Sequence, residues 1–140
     1  MQTNVLKTFL IILSLTAVMT ATAQNKLYLT VGSRTISASL VDNEAARSLL
    51  RLLSEAPMTI SMTDYGGFEK VGILPQSLPA SDTRITTVPG DIMLYQGRNM
   101  VIFYVANTWS YTPLGRIDGA TAVALKEFLG NGNVEAVSYT

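Results

Sequence analysis

Apolar and polar residues alternate with a period of two in two adjacent stretches. Leu27, Leu29 and Val31 share one face of Lys26 to Val31, and Ile36, Ala38 and Leu40 share one face of Arg34 to Leu40. That period belongs to a half-buried strand, and Gly32-Ser33 between the two runs has the size and composition of a hairpin turn. The pattern predicts an opening β-hairpin. The period then changes: Ala45, Ala46, Leu49, Leu50, Leu53 and Ala56 recur at three- and four-residue intervals, which gathers them into one stripe of a helix. Asp42 or Asn43 caps that helix, and Glu44 sits in the first turn, where the positive end of the dipole favours a carboxylate. Arg47 and Arg51 fall on its exposed side, and Pro57 ends it.

Shorter elements follow. Met58 to Met62 reads as a strand running into a Tyr65-Gly66-Gly67 turn, and Val71 to Leu74 as a brief buried piece. Pro75 and Pro79 mark Pro75 to Thr83 as a loop, and Ile85 to Val88 is a strand stopped by Pro89-Gly90-Asp91. Ile92 to Tyr95 and Met100 to Val105 form a second hairpin across Gln96 to Asn99. Its second strand is apolar on both faces, as expected in the middle of a sheet. Asn107 to Gly115 reads as a loop carrying Trp109, Tyr111 and Pro113. Asp118 is expected to cap a second helix, Ala120 to Leu129, with Gly130 as its stop, and Val134 to Tyr139 closes the chain as an alternating strand. Many short strands with two separate helices predict a mostly β fold: a closed barrel with a short helix over each open end. Joining its first and last strands would remove the exposed edges.

The N-terminus is of another kind. Lys7 precedes an apolar run from Phe9 to Val18, and Ala21-Thr22-Ala23 supplies the small-x-small pattern of a cleavage site. This is the plan of a secretory signal peptide over residues 1–23, with the mature domain at 24–140. A membrane span needs roughly 20 apolar residues, and Thr20 and Thr22 thin this stretch, so cleavage is expected rather than a retained anchor. Export to the periplasm or the extracellular medium follows, with no stable membrane anchor after cleavage. The 117 residues left of 140 suit one domain with a real core. Having no cysteine, the chain has neither disulfides nor thiolate metal sites, and no lipid can be attached at the cleavage site. Loss of Lys7 leaves nine basic against ten acidic residues, without a run of like charge. Nucleic acid and anionic membranes reward a basic face, so neither is an expected partner.

The absence of histidine removes the commonest general base and metal ligand together. Ser-His-Asp and Cys-His catalysis are excluded. No EF-hand spacing or glycine-rich phosphate loop occurs, and no cofactor or metal is expected. Three arrangements remain. Lys70 beside Ser61 or Ser77 would make a Ser-Lys pair, although a solvated Lys70 is the simpler expectation. Asp64 and Glu69 flank the Tyr65-Gly66-Gly67 turn and would form a carboxylate pair if they converged; a turn-initiating Asp64 and a surface Glu69 are the plainer alternative. Trp109, Tyr111 and Pro113, followed by Arg116, would line a cleft with aromatic walls and one fixed cation. Otherwise Trp109 and Tyr111 cover the barrel mouth, and Arg116 pairs with Glu69 or Asp118.

Several runs carry a family likeness: Gly90-Asp91-Ile92-Met93-Leu94-Tyr95, Val101-Ile102-Phe103-Tyr104, and Asn107-Thr108-Trp109-Ser110-Tyr111-Thr112-Pro113-Leu114-Gly115-Arg116-Ile117. With Tyr65-Gly66-Gly67-Phe68-Glu69-Lys70 and Asn43-Glu44-Ala45-Ala46, the chain resembles the bacterial cyclophilin-like domain family over nearly all of residues 24–140. The resemblance implies a closed cyclophilin-type β-barrel. It brings no established activity. True cyclophilins isomerise prolyl bonds with an arginine, a glutamine and aromatic residues around a proline pocket, and their Phe-His-Arg stretch has no counterpart here. Arg116 is a positional candidate only. The expected function is therefore a peptide or small-ligand binding module, with Tyr65, Glu69, Tyr104, Trp109, Tyr111 and Arg116 as the candidate cleft. The alternative is a prolyl isomerase with a histidine-free site, since an arginine near the amide nitrogen suffices to weaken its double-bond character.

Overall fold

A computed structural model describes residues 25–140; the expected signal segment, 1–23, lies outside the described residues. The opening hairpin forms as its alternation predicts, with β1 at Lys26–Val31 and β2 at Arg34–Leu40. Helix α1 spans Glu44–Glu55. Asn43 is its cap: the side-chain Oδ1 accepts from the Ala46 amide at 2.8 Å, while Nδ2 donates to the Pro113 carbonyl at 2.7 Å. One asparagine thus satisfies an orphan helix donor and ties the helix to a distant strand. Ala45, Ala46, Leu49 and Leu53 are the residues of the stripe that become buried.

The remaining elements are β3 (Met58–Tyr65), β4 (Glu69–Ile73), β5 (Thr83–Thr86), β6 (Asp91–Tyr95), β7 (Asn99–Phe103), β8 (Thr108–Ile117), α2 (Ala122–Leu129) and β9 (Val134–Tyr139). Eight strands run antiparallel in the order β2-β1-β9-β3-β4-β7-β6-β8, and β2 pairs with β8 to close the cylinder. The expected junction of first and last strands is present: Tyr28 opposes Tyr139, their rings stacked with centroids 5.6 Å apart. The other seam is tight. A Cβ on Gly115 would overlap the Ser39 carbonyl oxygen and come within 3.1 Å of the Leu40 Cα, so the β2–β8 closure requires a residue with no side chain.

Several boundaries differ from the sequence expectation, three of them with consequences for the site and its frame. The segment expected as a loop from Asn107 to Gly115 is mostly strand. Pro113 and the hydroxyl residues argue for a loop, but Pro113 stands at a register shift opposite Met93, where a missing N–H breaks no regular ladder. Strand β8 then serves three neighbours: β5 along Thr108 to Tyr111, β6 along Thr112 to Arg116, and β2 at its end. Strand β5 itself starts two residues before the expected Ile85.

The second helix is capped by Thr121, whose hydroxyl accepts from the Ala124 amide at 3.2 Å. Asp118, expected in that role, instead accepts from Lys26 (2.6 Å), Ser37 (2.6 Å) and Ser39 (2.7 Å). These three bonds hold its carboxyl down at about 2 and pin the first hairpin to the end of β8. Gly130 ends α2 as expected, at φ 72.

The alternation of β7 divides the apolar residues into two cores. Met100 and Ile102 point into the barrel with Ile92, Leu94 and Leu114, and are packed by residues of both helices. Val101 and Phe103 point outward and form a separate cluster with Met93 and Tyr111, edged by Phe68, Val71, Ile85 and Tyr95. An outer barrel face with its own buried cluster must be covered by something. Here the cover is incomplete, and a cavity remains.

Candidate functional site

The cavity holds about 560 Å³ and lies over the outer face of β4-β7-β6-β8. Alternation decides which side chains reach it. On β4, Glu69 and Val71 face outward, and their partners Phe103 and Val101 on β7 do likewise. On β8, Tyr111 buries its ring against Phe103 at 5.2 Å between centroids and Tyr95 at 6.0 Å, both edge-to-face. Trp109, two residues earlier on the same face, remains 54% exposed at the rim. The β3–β4 turn contributes the opposite rim. Tyr65 is 65% exposed and packs edge-on against Phe68 at 6.1 Å. Gly66, at φ 61, makes this possible, because a Cβ there would overlap the Phe68 ring.

Polar groups sit among the rings. Asn107 is held by its backbone to Thr87 and donates from Nδ2 to the Tyr111 hydroxyl at 2.7 Å. Asn99 donates to the Tyr95 carbonyl at 3.1 Å. Gln96, on the β6–β7 turn, adopts φ 51, a left-handed conformation that costs a non-glycine residue roughly 1–2 kcal/mol. At the centre is Glu69. It is 7% exposed, and among the described residues its carboxyl has neither a hydrogen bond nor an ion pair. Burial pushes its pKa from 4.5 up to about 7, because a carboxylate loses more than a carboxyl when water is removed. Tyr111 is also shifted upward, first by burial and then by the nearby Glu69 and Tyr95, against the bond from Asn107.

Four of the six residues singled out from sequence therefore border one cavity: Tyr65, Glu69, Trp109 and Tyr111. They lie on the barrel's side, so Trp109 and Tyr111 do not cover its mouth. Glu69 is not the surface residue of the plainer alternative, and it does not converge with Asp64. The two occupy opposite faces of the β3–β4 ribbon, where Asp64 opposes Lys70 and Glu69 opposes Tyr65.

Tyr104 and Arg116 belong elsewhere. Tyr104 lies in the inner core and donates to Asp64 Oδ1 at 3.3 Å. Arg116 Nε donates to Asp91 Oδ1 at 2.8 Å, so its partner is neither Glu69 nor Asp118. Phe68, Val71, Tyr95, Gln96, Asn99 and Asn107 complete the lining. Tyr95 and Val71 were legible as strand residues but not as outward-facing, because the sequence does not say which face of a barrel strand is covered.

Lys70 reverses an expectation. It is not solvated but fully buried, and no serine adjoins its ammonium. Its Nζ donates to Asp64 Oδ1 at 3.0 Å and to the carbonyls of Gly130 at 3.0 Å and Gly132 at 2.5 Å. All three ammonium hydrogens have acceptors, the condition under which a buried charge is tolerated. Asp64 in turn accepts from the Gly132 amide at 2.8 Å. Burial raises the Asp64 pKa, but Lys70, the Gly132 amide and Tyr104 outweigh it and leave it lowered. This node ties the α2–β9 connection to β3 and β4; it is structural. Among the described residues no group of three His, Cys, Asp or Glu side chains comes together to hold a metal.

A sequence model of the cyclophilin-like family matches residues 29–137. Among solved structures, the solution structure of a hypothetical protein from Archaeoglobus fulgidus is similar in fold. Its TM-score is 0.57 at 12% identity, over 83% of this chain and 94% of that one. Among curated proteins none matches.

Proposed function

The chain belongs to the cyclophilin-like family, and on that premise we propose that it is an exported binding module that takes a peptide segment or a small ligand in the outer-face cavity. The observation that carries this reading is the cavity of about 560 Å³ itself, with aromatic walls around one buried carboxyl that has no partner of its own. Its volume falls within the range of small-molecule sites, and convergent polar groups in an apolar cleft are their usual composition. Holding an unpaired carboxyl there works against stability, which is the kind of local conflict that functional sites retain. Binding accounts for these features better than isomerisation does. No arginine lines the cavity, and Arg116 is engaged by Asp91.

Export is supported by the pattern at residues 1–23. Among the described residues, no helix is long and apolar enough to cross a membrane. Mass spectrometry of the protein from a secreting bacterial host is expected to find an N-terminus at Gln24; a chain retaining Met1 would refute export.

Trp109 is the single tryptophan and stands at the rim, so its emission reports directly on occupancy. Titration with proline-containing peptides and small organic ligands is expected to shift that emission for at least one class. No response across the panel would remove the binding reading. Exchange NMR on a proline peptide separates the alternative, since uncatalysed exchange takes tens of seconds or longer. Shifted signals with unchanged exchange support a binder, and faster exchange would make the protein an isomerase.

A further inference from the structure

The charge and wall chemistry of the cavity narrow its ligand, and this narrowing rests on the binding reading above. Five aromatic side chains line it, Tyr65, Phe68, Tyr95, Trp109 and Tyr111, together with one acid, Glu69, and no lysine or arginine. Nearby cations are committed elsewhere. Lys70 points to the opposite face of β4 and is saturated by Asp64, Gly130 and Gly132. Arg98 donates to the carbonyls of Leu74 and Pro75, and Arg116 is held by Asp91. Arg84 is exposed and sits one residue from Ile85, hence on the face of β5 turned away from the outer cluster. Among the described residues, the other titratable groups that line the cavity with Glu69 are the hydroxyls of Tyr65, Tyr95 and Tyr111. Asp64 is on the inner face, and Asp82 accepts from Thr112.

We infer that the cavity binds an organic cation, an ammonium group carried on an apolar body, with the charge seated between the aromatic faces and the Glu69 carboxylate. The ring faces carry the negative lobe of their quadrupoles and attract a cation placed over them. A neutral ligand would leave the Glu69 carboxylate without compensation, and an anion would add a like charge to it. A cation supplies the missing partner. The exposed rims, Tyr65 on the β3–β4 turn and Trp109 on β8, stand on opposite sides of the four-strand face and would flank the ligand's body. The raised pKa of Glu69 adds a signature: binding the cation ionises the carboxyl, so a proton leaves as the ligand enters.

The test compares choline and benzyltrimethylammonium with 3,3-dimethylbutan-1-ol, the uncharged isostere of choline, by Trp109 emission at pH 5.5 and pH 8. The cations are expected to bind about tenfold or more tightly than the alcohol at pH 8. Their affinity should fall by about tenfold in all between pH 8 and pH 5.5, as ionising Glu69 becomes part of the cost. Glu69→Gln should abolish that pH dependence and reduce cation affinity at pH 8 by about tenfold, leaving the alcohol unaffected. A capped lysine-containing peptide forms a further arm. Tighter binding of the peptide than of the small cations would place the ammonium on a polypeptide; weaker binding would place it on a metabolite. Equal binding of alcohol and cation, or affinity that declines with rising pH, would overturn the cationic ligand while leaving a binding cavity. If none of these probes moved Trp109 emission while proline peptides did, the cation would likewise be excluded. Silence from every ligand would remove the binding reading as well.

Discussion

Replacing Glu69 by glutamine keeps the side chain's shape and removes its ability to ionise. The carboxyl titrates at 4.5 when solvated and at about 7 in the fold. Each pKa unit is worth about 1.4 kcal/mol, so the ionised form is disfavoured in the native state by roughly 3–4 kcal/mol at most. Because the cavity opens to water, an effect of about 1–2 kcal/mol is the working expectation. The sign follows from linkage. Below pH 4.5 both folded and unfolded chains hold the proton, and Glu69 adds nothing. Between 4.5 and 7 only the folded chain keeps it, so stability falls as pH rises, and above 7 the whole penalty is present. Glutamine is neutral throughout. Urea unfolding at pH 4, 6 and 8 should therefore show Glu69→Gln matching the wild type at pH 4 and exceeding it by about 1–2 kcal/mol at pH 8. A gap that is constant with pH, or a variant less stable than the wild type at pH 8, would refute the premise that this carboxyl is buried without a partner.

Further expectations concern the frame around the cavity. Lys70→Met leaves Asp64 without its cation and the Gly130 and Gly132 carbonyls without a donor; a loss of about 2–4 kcal/mol in chemical unfolding is expected, and a loss below about 1 kcal/mol would show that water substitutes freely for the ammonium. Gly115→Ala forces a methyl against the backbone of β2 at the closing seam and should cost about 2 kcal/mol or more, whereas Ser110→Ala on the same strand should cost under about 0.5 kcal/mol; equal effects would contradict the tight seam. Asp118, with its carboxyl held at about 2, contributes stability above pH 3.8 that is lost as the pH falls through 2. Because Asp118 is about one-third exposed, Asp118→Asn should cost only about 1 kcal/mol near pH 6, with the difference from wild type shrinking toward pH 2 in an acid-unfolding titration.

The elements with strict periodicity were readable from residue pattern alone. The Leu27-Leu29 and Ala38-Leu40 alternation placed both strands of the first hairpin, and the Ala45 to Leu53 spacing placed α1. What resisted reading was β8, because Pro113, Ser110 and two threonines weigh toward a loop while the ladder around them tolerates all of these at an irregular position. The burial of Lys70 is hidden from the sequence for a related reason. Its neighbours in sequence offer no partner except Asp64, and the two carbonyls that make its burial possible come from Gly130 and Gly132, some 60 residues later. The cavity was half visible. Trp109, Tyr111, Tyr65 and Glu69 stood out by residue type, whereas Tyr104 and Arg116 share that chemistry but face other surroundings. Composition identifies residues suited to a site; only strand parity selects those on its side of the wall.

The division of β8 among its neighbours also bears on how the domain opens. Its first four residues are held to β5 alone, by a short ladder from Thr83–Tyr111 to Thr86–Thr108, whereas its latter half is locked between β6 and β2. The two halves therefore belong to different cooperative units. Excursions that detach Thr108 to Tyr111 expose Trp109 and one wall of the cavity while every barrel pairing survives, so entry of a ligand does not require global unfolding. Native-state hydrogen exchange should show this directly, with amides of 108–111 exchanging through a low-energy opening and those of 114–117 only with the whole cylinder.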